Sequence, residues 1–253
     1  VGTVGRRAIL GRVSPAVVFG WHHARRKTIR RLASPAIGFA AFPLGDALSL
    51  QGMLILVGVV LGPSSVVVFA TLRTLTRFGL QFANAVNRIV QAEISATYGK
   101  GDSALLRRLH HLACQATLCA TVATALVLGA FGSWFLALWT NGAVGMDRTL
   151  LYLFLAVMIA HGMWHASLML TYATNRHQRI ALAYIGVSIV ALSAAYFTTS
   201  AVGLTGGAGV ILVGELALVV YVFRASLGFL NERLGDFVRA LAIAPIALLR
   251  HVK

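Results

Sequence analysis

Long runs of apolar residues, separated by short polar turns, dominate the chain. Six runs of roughly 20 residues or more lie at 36–61, 64–95, 105–131, 149–173, 180–201 and 204–223. A transmembrane helix needs about 20 predominantly apolar residues, and the runs lack the period-two alternation of transmembrane β-strands. The pattern therefore predicts an all-α membrane protein built as a bundle of six transmembrane helices.

The second run, 64–95, differs from the others because polar side chains follow one side of the predicted helix. At about 100° per residue, these polar residues fall on one stripe, with aliphatic and aromatic residues on the opposite side. The stripe comprises Arg73, Arg77, Gln81, Asn84, Arg88 and Gln91, and the apolar side comprises Phe78, Phe82, Val86 and Ile89. Within a membrane such a stripe requires a partner, a water-filled cavity or an anionic ligand.

Composition supports a membrane location and changes how the net charge is interpreted. Hydrophobic residues make up 58% of the 253 positions and charged residues 11%, whereas soluble domains average about 25% charged residues. The net charge of +15 would suggest a nucleic-acid partner in a soluble protein. In a membrane protein, Lys and Arg concentrate in the cytoplasmic loops. We therefore expect membrane lipids, and no nucleic acid, to contact the basic segments.

The positions of Lys and Arg orient the six predicted spans. With the N-terminal segment inside, Arg148 is the only Lys or Arg in the opposite-side turns, and the inner loops hold Lys100, Arg107, Arg108, Arg176 and Arg179. This asymmetry predicts that both termini are cytoplasmic. We expect a basic cytoplasmic or interfacial segment at 1–32, a six-helix transmembrane lobe at 33–225 and a basic cytoplasmic tail at 226–253.

Two acidic residues inside the predicted spans are available to the arginines. Asp46 lies on the first run and Glu215 on the last. Each is a candidate ion-pair partner of an arginine or a candidate ion-coupling carboxylate, and the sequence leaves both open. Three arginines against two acids leave a net positive interior, which favours a cavity for a phosphate or an acidic sugar over purely structural pairing.

The remaining reactive residue types do not form a recognisable site. His161 and His165 lie one turn apart without a nearby carboxylate or thiol, and we expect them to pack inside the bundle or line the same cavity. Cys114 and Cys119 point about 140° apart on one helix, cannot form a disulfide with each other, and are expected to be small buried hydrophobes. The sequence shows no nucleophile elbow, phosphate-binding glycine loop or paired-carboxylate motif. It therefore predicts no enzymatic activity, no metal and no cofactor.

Several segments occur in the order seen in a transporter family. They are QGMLILVGVVLGPSSVVVFATLRTLTR, AEISATYGKGDSALLRRLHH, FLALWTNG and YATNRHQRIAL. Over about residues 33–225 the chain resembles the lipopolysaccharide and O-antigen flippases of the multidrug/oligosaccharidyl-lipid/polysaccharide exporter superfamily. Members of that family have twelve or more spans in two lobes, and the six predicted here resemble the C-terminal lobe.

The resemblance implies translocation of an undecaprenyl-pyrophosphate-linked oligosaccharide across the bacterial inner membrane, for lipopolysaccharide or other surface-polysaccharide biosynthesis. Transport would proceed by alternating access around a cationic cavity. Arg73 and Arg77 would contact pyrophosphate or acidic sugars, and Arg88 would lie at the cytoplasmic entrance. A missing N-terminal lobe or a second copy would complete the transporter. The alternatives are a cation-coupled drug exporter of the same superfamily and a non-transporting membrane fragment or scaffold.

Overall fold

The computed structural model describes residues 26–242, with the side chains at 27, 29–32, 34 and 35 excepted. Within this range the regular elements are helical, which confirms the predicted all-α class. The helices are α1 (Arg26–Ala47), α2 (Met53–Leu61), α3 (Pro63–Lys100), α4 (Ser103–Thr140), α5 (Arg148–Ala173), α6 (Gln178–Val202), α7 (Leu204–Leu230) and α8 (Leu234–Ala242). A π-helical turn, Leu48–Gly52, joins α1 to α2.

The chain divides into two compact units, residues 1–37 and residues 38–253. All the packing reported below lies within the second unit. Most of the predicted basic segment 1–32, and the last part of the predicted tail 226–253, lie outside the described residues. The described part of that tail completes α7 and forms the short helix α8.

Five helical segments are long and apolar enough to cross a membrane. They are Ala36–Leu61, α4, α5, α6 and α7. Their length and composition support a multi-pass membrane protein. Helix α3, which carries the three arginines, is 38 residues long but does not belong to this apolar set. Its assignment as a sixth span therefore stays a prediction.

Local sequence signals fix where several helices begin. Gly62 has a φ of 86°, a conformation that glycine adopts without steric penalty, and Pro63 follows as the first residue of α3. The Asp102 side chain accepts a 2.9 Å hydrogen bond from the Leu105 amide at the start of α4. The Asp147 side chain likewise accepts a 3.0 Å hydrogen bond from the Leu150 amide at the start of α5. These N-caps satisfy amides that have no partner inside the helix.

Helix α5 lies at the centre of the bundle. It packs against α3, α4 and α7, and 61% of its most apolar stretch is buried, against 17–39% for the other four apolar spans. Polar side chains on such a shielded helix have to find partners on the neighbouring helices. His161, Trp164 and His165 are therefore placed in the interior of the bundle.

Helix α3 has an inner face and an outer face, as its pattern predicts. Phe78, Phe82 and Ile89 are 54%, 73% and 74% exposed, which suits contact with lipid. The inner face is made of buried apolar and small residues, among them Leu72, Leu80, Ala83, Val90 and Ile94. At 100° per residue the polar stripe lies about a quarter turn away from this inner face. The arginines therefore flank the packed core rather than forming its centre.

Candidate functional site

A small cavity with several ionisable residues in its lining lies between α1, α3, α5, α6, α7 and the π-helical turn. Its ionisable and hydroxyl-bearing lining includes Asp46, Arg73, Arg77, His161, Tyr184 and Glu215. The structure therefore brings together four of the predicted site residues, the two carboxylates and the first two arginines. The free space is about 40 Å³, which accommodates a few water molecules but not a sugar.

Arg73 is held by the backbone of the π-helical turn. Its guanidinium Nη1 donates a 2.7 Å hydrogen bond to the carbonyl oxygen of Leu50, and its Cζ lies 5.8 Å from the centre of the Phe69 ring. π-Helical turns interrupt the regular α-helical hydrogen bonding and often occur at functional sites. The contact links α3 to the turn that positions Asp46, so Arg73 has a structural role in the cavity.

Both carboxylates of the cavity lie within hydrogen-bonding distance of Trp, His or Tyr side chains. Trp164 Nε1 donates to Glu215 Oε2 at 2.5 Å, and His161 Nδ1 lies 3.2 Å from both carboxylate oxygens of Glu215. The Tyr184 hydroxyl donates a 2.8 Å hydrogen bond to Asp46 Oδ1. Among residues 26–242, neither carboxylate forms a salt bridge with an arginine.

Arg77 is the second arginine of this cavity and differs from Arg73 in its contacts. It is half-buried, and within the described part of the chain it makes no hydrogen bond or salt bridge. The formal charges of the cavity, two arginines and two carboxylates, cancel. The excess positive charge that the sequence predicts comes from Arg88, which lies elsewhere on α3.

Arg88 lines a second, larger groove of about 310 Å³. Asn84 and Gln91 of the predicted stripe lie there too, whereas Gln81 lines neither space. The other lining residues are Phe39, Asn87, His165, Met169 and Tyr172. The groove therefore combines one guanidinium with three amides, an imidazole and two aromatic rings, and its lining contains no carboxylate.

Two buried polar atoms in this groove lack hydrogen-bond partners. They are Asn87 Nδ2 and His165 Nδ1. Buried donors and acceptors are nearly always satisfied in proteins, so both atoms are available to a ligand or to water. Sequence reasoning missed Asn87 because it lies on the buried face of α3, a quarter turn from the stripe. The sequence signal that could have identified Asn87 is an amide side chain among the apolar inner residues 83, 90 and 94.

A third polar cluster, distant in sequence from the stripe, joins α4 to the turn after α7. His111 Nε2 lies 2.6 Å from Glu232 Oε1, across 121 positions of the chain, and His110 is adjacent. Cys114 is buried beside them, but Cys119 is exposed, so the prediction that both cysteines are buried is wrong for Cys119. Sequence reasoning missed the cluster because nothing local indicates that Glu232 returns to α4.

The site residues thus fall into three groups that differ in charge and in space. The central cavity is small and formally neutral, the Arg88 groove is larger and cationic, and the α4 cluster is rich in imidazole. Comparison of the chain with protein-family models, with curated proteins and with solved structures finds no match. Any functional role therefore rests on these side chains and their surroundings.

Proposed function

We propose that this chain is one lobe of a transporter that moves a polyprenyl-pyrophosphate-linked oligosaccharide across the bacterial inner membrane for surface-polysaccharide biosynthesis. One observation carries the proposal: Arg77 and Arg88 face the same side of α3 without a carboxylate partner among the described residues. They are separated by about 16 Å along the helix. Asn84 lies between them on the same stripe.

The chemistry of this strip suits a phosphorylated sugar. A guanidinium binds phosphate oxygens through two parallel hydrogen bonds, and amide groups offer both donors and acceptors to sugar hydroxyls. The Arg88 groove, at about 310 Å³, falls at the lower end of the usual range for ligand pockets. The central cavity is too small for a sugar, so we assign headgroup binding to the groove, with Arg77 as a second guanidinium on the same side of α3.

Helix α3 is proposed as the sixth span. It packs along α4 and α5, which are both apolar enough to cross the bilayer. Its 38 residues extend about 57 Å, more than the roughly 30 Å hydrocarbon core. A span with a polar stripe is tolerated where that stripe faces a cavity instead of lipid.

Charge asymmetry supports an orientation with both termini in the cytoplasm. In that orientation Arg88 lies nearer the cytoplasm than Arg77, so a headgroup entering from inside meets Arg88 first. The proposed transporter requires a second lobe, either a missing N-terminal lobe or a second copy of this chain. The substrate would then bind to one conformation of the two-lobe transporter and be released from the other, as in alternating access.

Binding to the purified chain in lipid nanodiscs tests this proposal. We expect an undecaprenyl-pyrophosphate-linked oligosaccharide to bind, and Arg77→Gln with Arg88→Gln to weaken binding by about tenfold or more, because a charge-assisted hydrogen bond contributes about 1.5–3 kcal/mol. Arg148→Gln is the matched control, since Arg148 is exposed at the start of α5. Equal affinity of the double variant and the control would overturn the proposal.

A cation-coupled drug exporter is the second candidate. The observation that favours it is the presence of two carboxylates, Asp46 and Glu215, in the lining of the central cavity. A lipophilic cation would then bind the nanodisc-embedded chain, and Asp46→Asn with Glu215→Gln would abolish that binding. The lipid-linked saccharide is expected to show the opposite dependence, on the arginines rather than on the carboxylates.

A further inference from the structure

Three side chains with metal-binding groups meet where α4 passes the turn between α7 and α8. His110 and His111 come from α4 and Glu232 from the turn, and one ligand atom of each lies within 4.8 Å of the other two. Ligand atoms around a tetrahedral Zn²⁺ lie about 2.0–2.3 Å from the ion, hence roughly 3.3–3.8 Å from one another. Side-chain movements of about 1 Å therefore bring the three atoms to coordinating positions.

Burial leaves two atoms of this cluster without a partner. His110 is fully buried, and the side chain of Glu232 is 4% exposed. His110 Nδ1 and Glu232 Oε2 form no hydrogen bond. Buried polar atoms without partners are rare and destabilising. A simple ion pair between His111 and Glu232 leaves both atoms unsatisfied, whereas a cation bound among the three side chains can satisfy them.

An outer-shell partner for His110 is also in place. Cys114 lies one helical turn after His110, but its Sγ is 3.8 Å from His110 Nε2, the ring nitrogen opposite the unpartnered Nδ1, so the thiol is not a ligand of this cluster. The Ser167 hydroxyl lies 3.0 Å from His110 Nε2, a position typical of groups that orient a metal-binding histidine. Two imidazoles and a carboxylate, with water in the fourth position, form a donor set that suits Zn²⁺.

We propose that His110, His111 and Glu232 bind a Zn²⁺ ion, with a water molecule in the fourth position. The ion would fasten the segment after α7 to α4. The Phe237 ring of α8 already packs on both imidazoles, at centroid distances of 5.5 and 5.6 Å. Zinc binding is independent of the proposed transport function, because none of these residues lines the cavity or the Arg88 groove.

The purified full chain in detergent, stripped with a chelator and reloaded with Zn²⁺ or Co²⁺, tests the site. We expect about one zinc per chain, and Co²⁺ loading to give the intense visible absorption of tetrahedral coordination. His111→Ala and Glu232→Gln should each weaken zinc binding by about tenfold or more. Cys119→Ser and Glu93→Gln, at exposed positions, should leave both measurements unchanged.

The cobalt spectrum of the unaltered chain needs no substitution, so a variant that fails to fold does not leave the test open. Weak octahedral absorption, or less than a tenth of an equivalent of zinc after gel filtration, would overturn the site. Zinc retained equally by His111→Ala and Glu232→Gln would mean that the ion binds elsewhere. In that case the cluster is an ion pair packed against Phe237.

Discussion

The guanidinium of Arg73 donates a 2.7 Å hydrogen bond to the carbonyl oxygen of Leu50, 23 positions earlier in the chain. That carbonyl belongs to the π-helical turn between α1 and α2. Arg77, one helical turn further along the same stripe, makes no such bond within the described residues. Two arginines that look equivalent in the sequence therefore have different roles, one structural and one available to a ligand.

Substitution separates these two roles. Arg73→Met leaves the Leu50 carbonyl without its charged donor, and we expect the free energy of unfolding to fall by about 1.5–3 kcal/mol. Arg77→Met is the matched control, with an expected change of about 0.5 kcal/mol or less. Denaturant unfolding in detergent, followed by circular dichroism, measures both. Equal losses for the two variants would contradict the structural role of Arg73.

The hydrogen bond from Trp164 to Glu215 gives a second stability prediction. Trp164 is 1% exposed, so Glu215→Ala leaves its indole N–H buried without an acceptor, at a cost of about 1–3 kcal/mol in unfolding free energy. Glu215→Gln keeps an acceptor oxygen and should lose less. Glu93→Gln, on an exposed part of α3, controls for the loss of a carboxylate. If Glu215→Ala unfolds at the wild-type denaturant concentration, the bond does not stabilise the bundle.

The helices were predictable where apolar runs end at strong turn signals. The runs at 149–173 and 180–201 match α5 (Arg148–Ala173) and α6 (Gln178–Val202) to within two residues at either end. Helix α4 runs on to Thr140, past the predicted end at 131, because nothing in FGSWFLALWT stops a helix before Asn141. The π-helical turn at Leu48–Gly52 was not predictable from its own residues, and the Arg73 side chain that contacts it comes from α3.

The site was predictable only as far as one helix determines it. The 100° spacing correctly separates the exposed apolar side of α3, with Phe82 and Ile89, from the half-buried Arg73 and Arg77, whereas Arg88 is itself exposed. It cannot show that Glu215 is held by Trp164 and His161, because those residues lie on a different helix. The same limit hid Asn87, whose neighbours His165 and Tyr172 come from α5.

Close packing between Gly45 and Tyr184 provides a third prediction. A Cβ at position 45 would lie 2.6 Å from Tyr184 Cδ1, so Gly45→Ala must displace the ring that donates to Asp46. We expect a loss of about 1–3 kcal/mol in unfolding free energy. Gly186→Ala is the control, because a Cβ there meets no described atom within 4 Å, and it should be neutral or stabilising by about 0.5–1 kcal/mol. Unfolding curves that rank the two variants the other way would refute this packing.

The unsatisfied amide of Asn87 predicts a trade-off between stability and binding. Asn87→Leu removes the unpartnered Nδ2 together with the Oδ1 that accepts a 3.3 Å hydrogen bond from the Thr117 hydroxyl. The substitution is therefore made in a Thr117→Val background, where we expect unchanged or slightly higher stability in the absence of ligand. Binding of the lipid-linked oligosaccharide in nanodiscs should weaken severalfold. Gln81→Leu is the matched control, because Gln81 is exposed and lines neither the groove nor the central cavity, and it should leave binding unchanged. A destabilised Asn87→Leu that binds normally would show that the amide is structural.

Cysteine accessibility tests whether α3 is a membrane span. Phe82 is 73% exposed on the side that the six-span arrangement turns toward lipid, so Phe82→Cys should resist a membrane-impermeant maleimide and react with a lipid-soluble one. Cys114 and Cys119 are replaced by serine in the background. Gly99→Cys, exposed at the end of α3 with no described atom within 4 Å of a Cβ, should react rapidly with the impermeant reagent. The hydrocarbon core shields a lipid-facing thiol from the impermeant maleimide. Rapid reaction of both cysteines with that reagent would therefore place α3 in water and leave five spans.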